Sequence, residues 1–209
     1  MITPSIEKSQ DDPNCRFCGT ELETPSHLVS GCEVLMAEDL YTKRHNSVAR
    51  LIHHRLCEKY GIRTRDRHWE HDPEAIIEND LIKITWDATI PTAKFISSNR
   101  PDIVLLDKKA SMTYIIEVGV PSDYSVLRTE RQKVMKYTEL ATEIKKMWHC
   151  KDALIIPVVL GATGLIKKSL QPNLDRLPIK VTVAELQREA IKGSCIVFKR
   201  ALAANLRNR

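Results

Sequence analysis

Residues 100 to 121 read RPDIVLLDKKASMTYIIEVGVP, and the stretch decides the fold because it sets two carboxylates beside apolar runs. IVLLD and TYIIEVGV are short, rich in β-branched residues and separated by KKASM, with its charged and small residues, which predicts two strands joined as a hairpin. Asp102 opens the first run and Glu117 interrupts the second. An ionised carboxylate inside a sheet costs several kcal/mol unless a cation or strong donors compensate it. Each acid therefore requires a reason.

The elements on either side supply a frame. LIKITWDATI predicts a further strand upstream, and ALIIPVVLG a buried strand downstream. A long helix is expected from about Asp123 to Trp148, started by PSD with Ser122 or Asp123 as its cap. AEDLYTKRHNSVARLIHHRLCEKYGI places Leu40, Val48, Leu51, Ile52 and Leu56 at helical spacing, with one apolar and one basic face and Gly61 placed to end it. IRTRDRHWEHDPEA is a polar, arginine-rich connection, and VTVAELQREAIKGSCIVFKRALAAN closes the chain as helix. Helix, three strands, helix, strand, helix is the order of a three-layer α/β domain.

Side chains alternate along a strand, so Ile115, Glu117 and Gly119 share one side. With Asp102 ending the hairpin partner near Glu117, two hard oxygen ligands converge at a sheet edge, a pairing suited to Mg²⁺ or Mn²⁺. P-D, a gap of fourteen residues and E inside a hydrophobic strand resemble the PD-(D/E)xK nuclease superfamily, whose αβββαβ order is the one read above. That resemblance implies a restriction-endonuclease-like core and a catalytic lysine. Position 119, where the lysine commonly stands, is Gly119. At 100° per residue, Val126, Lys133, Tyr137, Leu140 and Ile144 fall on one stripe of the following helix, so Lys133 is the favoured substitute and Lys136, at the margin, the reserve. Two plainer readings stand beside this one: Asp102 as a turn residue after proline, and Glu117 in a structural ion pair with Lys133. Asp87, after Trp86, is either a third acid near the metal or a strand-end charge, the second being favoured, and Tyr137 either contacts DNA or packs the lysine in place.

Upstream, CRFCGTELETPSHLVSGC gives Cys15, Cys18, His27 and Cys32, a C-x2-C-x8-H-x4-C spacing. Four soft N/S donors at such spacing suit structural zinc, against the alternative of three buried cysteines and a surface histidine. Cys57, Cys150 and Cys195 are isolated and expected to fill core. Domains are expected at 1–38, the knuckle, and 39–209, the nuclease-like body. The knuckle, RPDIV, KVMKY and the migrated lysine together resemble the C-terminal end of the Pol polyprotein of site-specific non-LTR retrotransposons, where a CCHC knuckle precedes a restriction-like endonuclease. The resemblance runs from Cys15 to about Gly161. It implies an enzyme that nicks one strand of target DNA to prime reverse transcription, with target DNA, element RNA and the rest of the polyprotein as partners and a nuclear location. The reverse transcriptase's paired aspartates are not in these residues, so polymerase activity would lie elsewhere.

The 209 residues are 43% hydrophobic, enough for a real core. No run of about 18 uncharged apolar residues and no signal-peptide pattern is present, so a soluble intracellular protein and no membrane partner are expected. A net charge of +5, with the basic residues gathered around residues 42–68, favours a polyanionic partner. Arg44, Arg63, Arg65, Arg67 and Arg100 are the candidates for phosphate contacts. His45, His53, His54, His68 and His71 are expected to be solvated or phosphate-facing, since none pairs with a second ligand at convincing spacing. A non-catalytic nucleic-acid-binding module on an inactive nuclease fold is the competing class, kept open by Gly119. A weaker third is a domesticated host protein using the fold for protein contacts.

Overall fold

The computed structural model describes residues 13–206. The first twelve residues of the expected 1–38 knuckle and the last three of the body lie outside the described residues. Two short helices, α1 (Pro25–Ser30) and α2 (Glu33–Ala37), lead into α3 (Leu40–Lys59). A five-stranded mixed sheet follows: β1 (Ile76–Glu78), β2 (Ile82–Trp86), β3 (Ile103–Asp107), β4 (Met112–Gly119) and β5 (Asp152–Val159). The spatial order equals the chain order. The first four strands are antiparallel, and β5 pairs parallel to β4. A parallel neighbour needs a long crossover, and α4 (Val126–Met147) provides it. Helices α5 (Leu170–Asp175) and α6 (Val183–Leu206) end the described chain.

The protein is therefore a mixed α/β fold with one sheet between two cores. Ile103, Leu105, Ile116, Val118, Ile156 and Val158 join Val48, Leu51, Ile52 and Leu56 of α3 and Leu186 and Ala190 of α6 in the larger core. The alternate positions Val104 and Ile115 pack with Tyr137, Leu140 and Ile144 of α4 in the smaller one. Period-two alternation feeds both faces, so β3 and β4 read as almost unbroken apolar runs.

Three local features depart from the sequence reading. β1 was not anticipated; its hairpin is closed by Asn79, whose Oδ1 accepts from the N–H groups of Leu81 (2.8 Å) and Ile82 (2.9 Å). A single 3-10 turn at Asp123–Ser125 precedes α4, and the N-cap is Ser125, without a side-chain capping bond, rather than Ser122 or Asp123. The released Asp123 carboxylate instead binds the hydroxyl and N–H of Thr163. The short helix α5, also unexpected, adds Leu170 and Leu174 to the larger core.

α6 starts on a reciprocal cap. The Thr182 N–H and hydroxyl donate to Glu185 Oε2 at 2.8 and 2.7 Å, and the Glu185 N–H donates back to the Thr182 hydroxyl at 3.2 Å. Arg55 of α3 adds a bond to Glu185 Oε1 at 2.8 Å, tying the two helices. Burial opposes ionisation of Glu185, but these donors outweigh it and hold the carboxyl down to about 2. A lowered folded value means stability that is present above the unfolded value and lost as pH falls. Glu185→Gln is expected to cost about 1 kcal/mol at neutral pH. In urea melts at several pH values the gap to the parent closes as pH falls from about 4.5 towards 2; a gap independent of pH rejects the cap as its source.

Candidate active site

The β3–β4 register sets Ile103 opposite Ile116, which places Asp102 opposite Glu117 one step further on. The Asp102 N–H donates to Glu117 Oε1 at 2.9 Å, and the Val118 N–H donates to Asp102 Oδ2 at 2.7 Å. Glu117 shares strand parity with Ile115 and so faces α4, from which Lys133 arrives. Lys133 Nζ lies 2.8 Å from Glu117 Oε2 and 3.7 Å from Asp102 Oδ2. Gly119 makes room for it: a Cβ there would stand 3.2 Å from Lys133 Cε and 3.2 Å from Thr129 Cγ2, closer than comfortable contact. The structure thus brings together the two acids and the lysine singled out in the sequence.

Two further residues complete the cluster. His45, from the first turns of α3, sets Nε2 3.2 Å from Asp102 Oδ1. It is neither free in solvent nor turned outward, and the sequence held no signal for it, because which helix turn meets the sheet end is decided by packing. Tyr137 is buried and its hydroxyl donates to the Arg100 carbonyl at 3.0 Å. Of its two expected roles, packing beside the lysine is the one its position allows, and DNA contact is not. Lys136 is exposed with Nζ 4.7 Å from the Tyr137 ring centroid.

Electrostatics split the two acids. Glu117 is 1% exposed; burial, then the neighbouring Asp102 charge, push its carboxyl above the usual range despite Lys133. Burial also acts to raise Asp102, but the His45 bond and charge, Lys133 and the Val118 N–H carry the net shift downward. Two carboxylates thus share one ammonium.

The knuckle forms a second constellation. Donor atoms of Cys15, Cys18, His27 and Cys32 lie within 4.8 Å of one another, a group able to hold a metal ion. Cys15 Sγ is 3.8 Å from Cys32 Sγ, and Cys18 Sγ is 3.4 Å from His27 Nε2. With Zn–S about 2.3 Å and Zn–N about 2.0 Å, a tetrahedron has edges of about 3.8 Å (S–S) and about 3.5 Å (S–N), so the donor set fits zinc. The Thr20 hydroxyl and the N–H groups of Thr20 and Glu21 pull the Cys18 thiol down to about 6, favouring the thiolate a metal needs. The knuckle shares a small core with α6: Cys15, Leu28, Cys32 and Leu35 pack with Val197 and Ala201.

Of the arginines, Arg63, Arg65 and Arg67 are exposed on the α3–β1 loop, though Asp66, Glu70, Asp72 and Glu74 stand among them. Arg100 is exposed and forks onto Asp87, with bonds of 2.9 and 2.8 Å, so Asp87 is occupied as a strand-end ion-pair partner. Arg44 corrects the sequence reading. It is 2% exposed, and its guanidinium donates to the Val29 carbonyl, the Val120 carbonyl and the Ser194 hydroxyl. A Cβ at Gly193 would collide with it. Arg44 bolts knuckle, sheet and α6 together and is not open to phosphate. The histidine expectation also fails at His53, His54 and His71, all buried; burial, then the His71 and His54 charges, draw His53 down to about 3. Among the described residues no helix is long and apolar enough to cross a membrane.

No protein-family model and no curated protein matches this chain.

Because Lys133 serves both acids, losing it differs from losing one acid. Lys133→Met leaves two carboxylates facing each other and is expected to cost about 3 kcal/mol in chelator-containing buffer, whereas Glu117→Gln leaves Lys133 with Asp102 and costs less than about 1.5 kcal/mol. Denaturant melts of both variants decide it. Equal losses would mean an ordinary two-partner salt bridge.

Proposed function

We propose that this chain is a divalent-metal-dependent DNA endonuclease of restriction-like fold, whose zinc-bearing knuckle helps to hold nucleic acid. The observation that carries the reading is the convergence of Asp102, Glu117 and Lys133 at one sheet end, with one ammonium against two carboxylates. The residues suit a hard cation: two carboxyl groups at one sheet end, oriented in part by backbone N–H groups, are the oxygen donors that Mg²⁺ or Mn²⁺ takes. Asp102 and Glu117 would hold it. The chemistry such an ion supplies is polarisation of the phosphodiester and activation of water.

The chain's own groups do the rest. Lys133 offsets charge building on the phosphoryl oxygens. His45 fixes the Asp102 carboxylate, and the Asp102 N–H orients Glu117, so both acids are set before substrate arrives. Arg63, Arg65 and Arg67 on the loop and Arg100 at the sheet end offer phosphate contacts, with the salt dependence counterion release brings. The resemblance of knuckle, RPDIV and KVMKY to non-LTR retrotransposon polyproteins supports a narrower reading: nicking of target DNA in the nucleus to prime reverse transcription of element RNA, as part of a larger polyprotein whose polymerase lies elsewhere.

A second reading has an observation of its own. The 2.8 Å Lys133–Glu117 bond is also what a structural ion pair in a non-catalytic nucleic-acid-binding module would show. Supercoiled plasmid and Mg²⁺ separate the two. In the nuclease, Asp102→Ala, Glu117→Ala and Lys133→Ala each reduce nicking by about 100-fold or more while DNA affinity changes little, and Lys136→Ala stays within about threefold. Nicking by Glu117→Ala at the parent rate, or no nicking by the parent, favours the binding module.

A further inference from the structure

His53 and Cys57 stand four apart on α3, so they leave the same face of the helix, and both are fully buried. The α3–β1 loop returns His71 to that face, 7% exposed. His53 Nδ1 lies 2.8 Å from His71 Nε2 and 3.6 Å from Cys57 Sγ. One donor atom from each residue falls within 4.8 Å of the others. Trp86 meets the His53 ring edge-on at 5.6 Å, and His54 meets the His71 ring at 5.3 Å, walling the cluster with aromatic surface.

We propose that His53, Cys57 and His71 hold a second zinc-class ion, separate from the knuckle's. One thiolate and two imidazoles form a borderline-soft set of the kind zinc selects over magnesium or calcium. The 3.6 Å sulfur–nitrogen separation is already about the tetrahedral edge, about 3.5 Å. The 2.8 Å nitrogen–nitrogen separation is a hydrogen bond between two imidazoles; an ion takes its place and opens the pair by about half an ångström, to the edge of about 3.3 Å. Binding releases the Cys57 thiol proton to solvent, and a water completes four-coordination. The ion fastens the arginine-bearing loop to α3, beside the contact of His54 Nε2 with the Arg65 carbonyl at 2.8 Å. This anchoring does not depend on the nuclease reading.

Zinc content of the purified chain, measured by plasma mass spectrometry after dialysis, tests this. Two equivalents are expected in the parent, one in Cys57→Ser, one in His71→Gln and one in Cys18→Ser. Should the Cys57 and His71 variants not fold, Cys18→Ser decides alone: one residual equivalent supports the second site, and none overturns it. A parent with one equivalent that Cys18→Ser abolishes, or two equivalents retained by folded Cys57→Ser, also overturns it. One equivalent lost in Cys57→Ser but kept in Cys18→Ser would retain this site and remove the knuckle's.

Discussion

Glu117 is a carboxylate buried in an interior strand of a sheet covered on both faces, and the surroundings are arranged around that charge. Ile116 and Val118 on either side of it belong to the larger core, so β4 cannot slip by one residue without driving the acid into that core. The glycine two residues on lets a lysine stem cross from α4, and the Asp102 backbone supplies the remaining donor. Lys133 is shared with Asp102, which also takes a bond from His45. A buried acid pair held by a lysine and a histidine carries a desolvation cost that makes it poorly explained by stability alone. It is well explained by a task that adds positive charge.

The same economy of anchoring recurs away from the sheet end. Arg44 spends its donors on carbonyls from the knuckle side, the end of β4 and a serine of α6, so one buried cation fixes three elements. The knuckle, with a core too small to stand by itself, leans on α6 and gains from its cysteine and histidine donors what apolar area cannot supply. The loop after α3 has little apolar content and is held by histidines instead.

Much of this was legible in the sequence, for identifiable reasons. Strands β3 and β4 declare themselves because both faces are buried, and Glu117 stands out against that background. Lys133 was found because helical periodicity places it on an apolar stripe, and the knuckle because zinc imposes ligand spacing. What escaped was set by three-dimensional contact. His45 meets Asp102, and Arg44 turns inward, only because of how α3 lies on the sheet end; nothing in TKRHNS separates an inward arginine from an outward one. His71 pairs with His53 from eighteen positions away, a separation that no short motif spans. β1 is three residues long, too short for alternation to announce it.

The carboxylate pair is tested most directly by divalent-linked stability. With zinc sites kept loaded, thermal melts of the parent and of Glu117→Gln are compared as Mn²⁺ is raised. If Asp102 and Glu117 exist to take a cation, the parent melting temperature climbs with Mn²⁺ according to mass action, and Glu117→Gln loses that dependence. Identical responses in parent and variant, or none in either, would contradict the claim and leave Glu117 as one half of a structural ion pair.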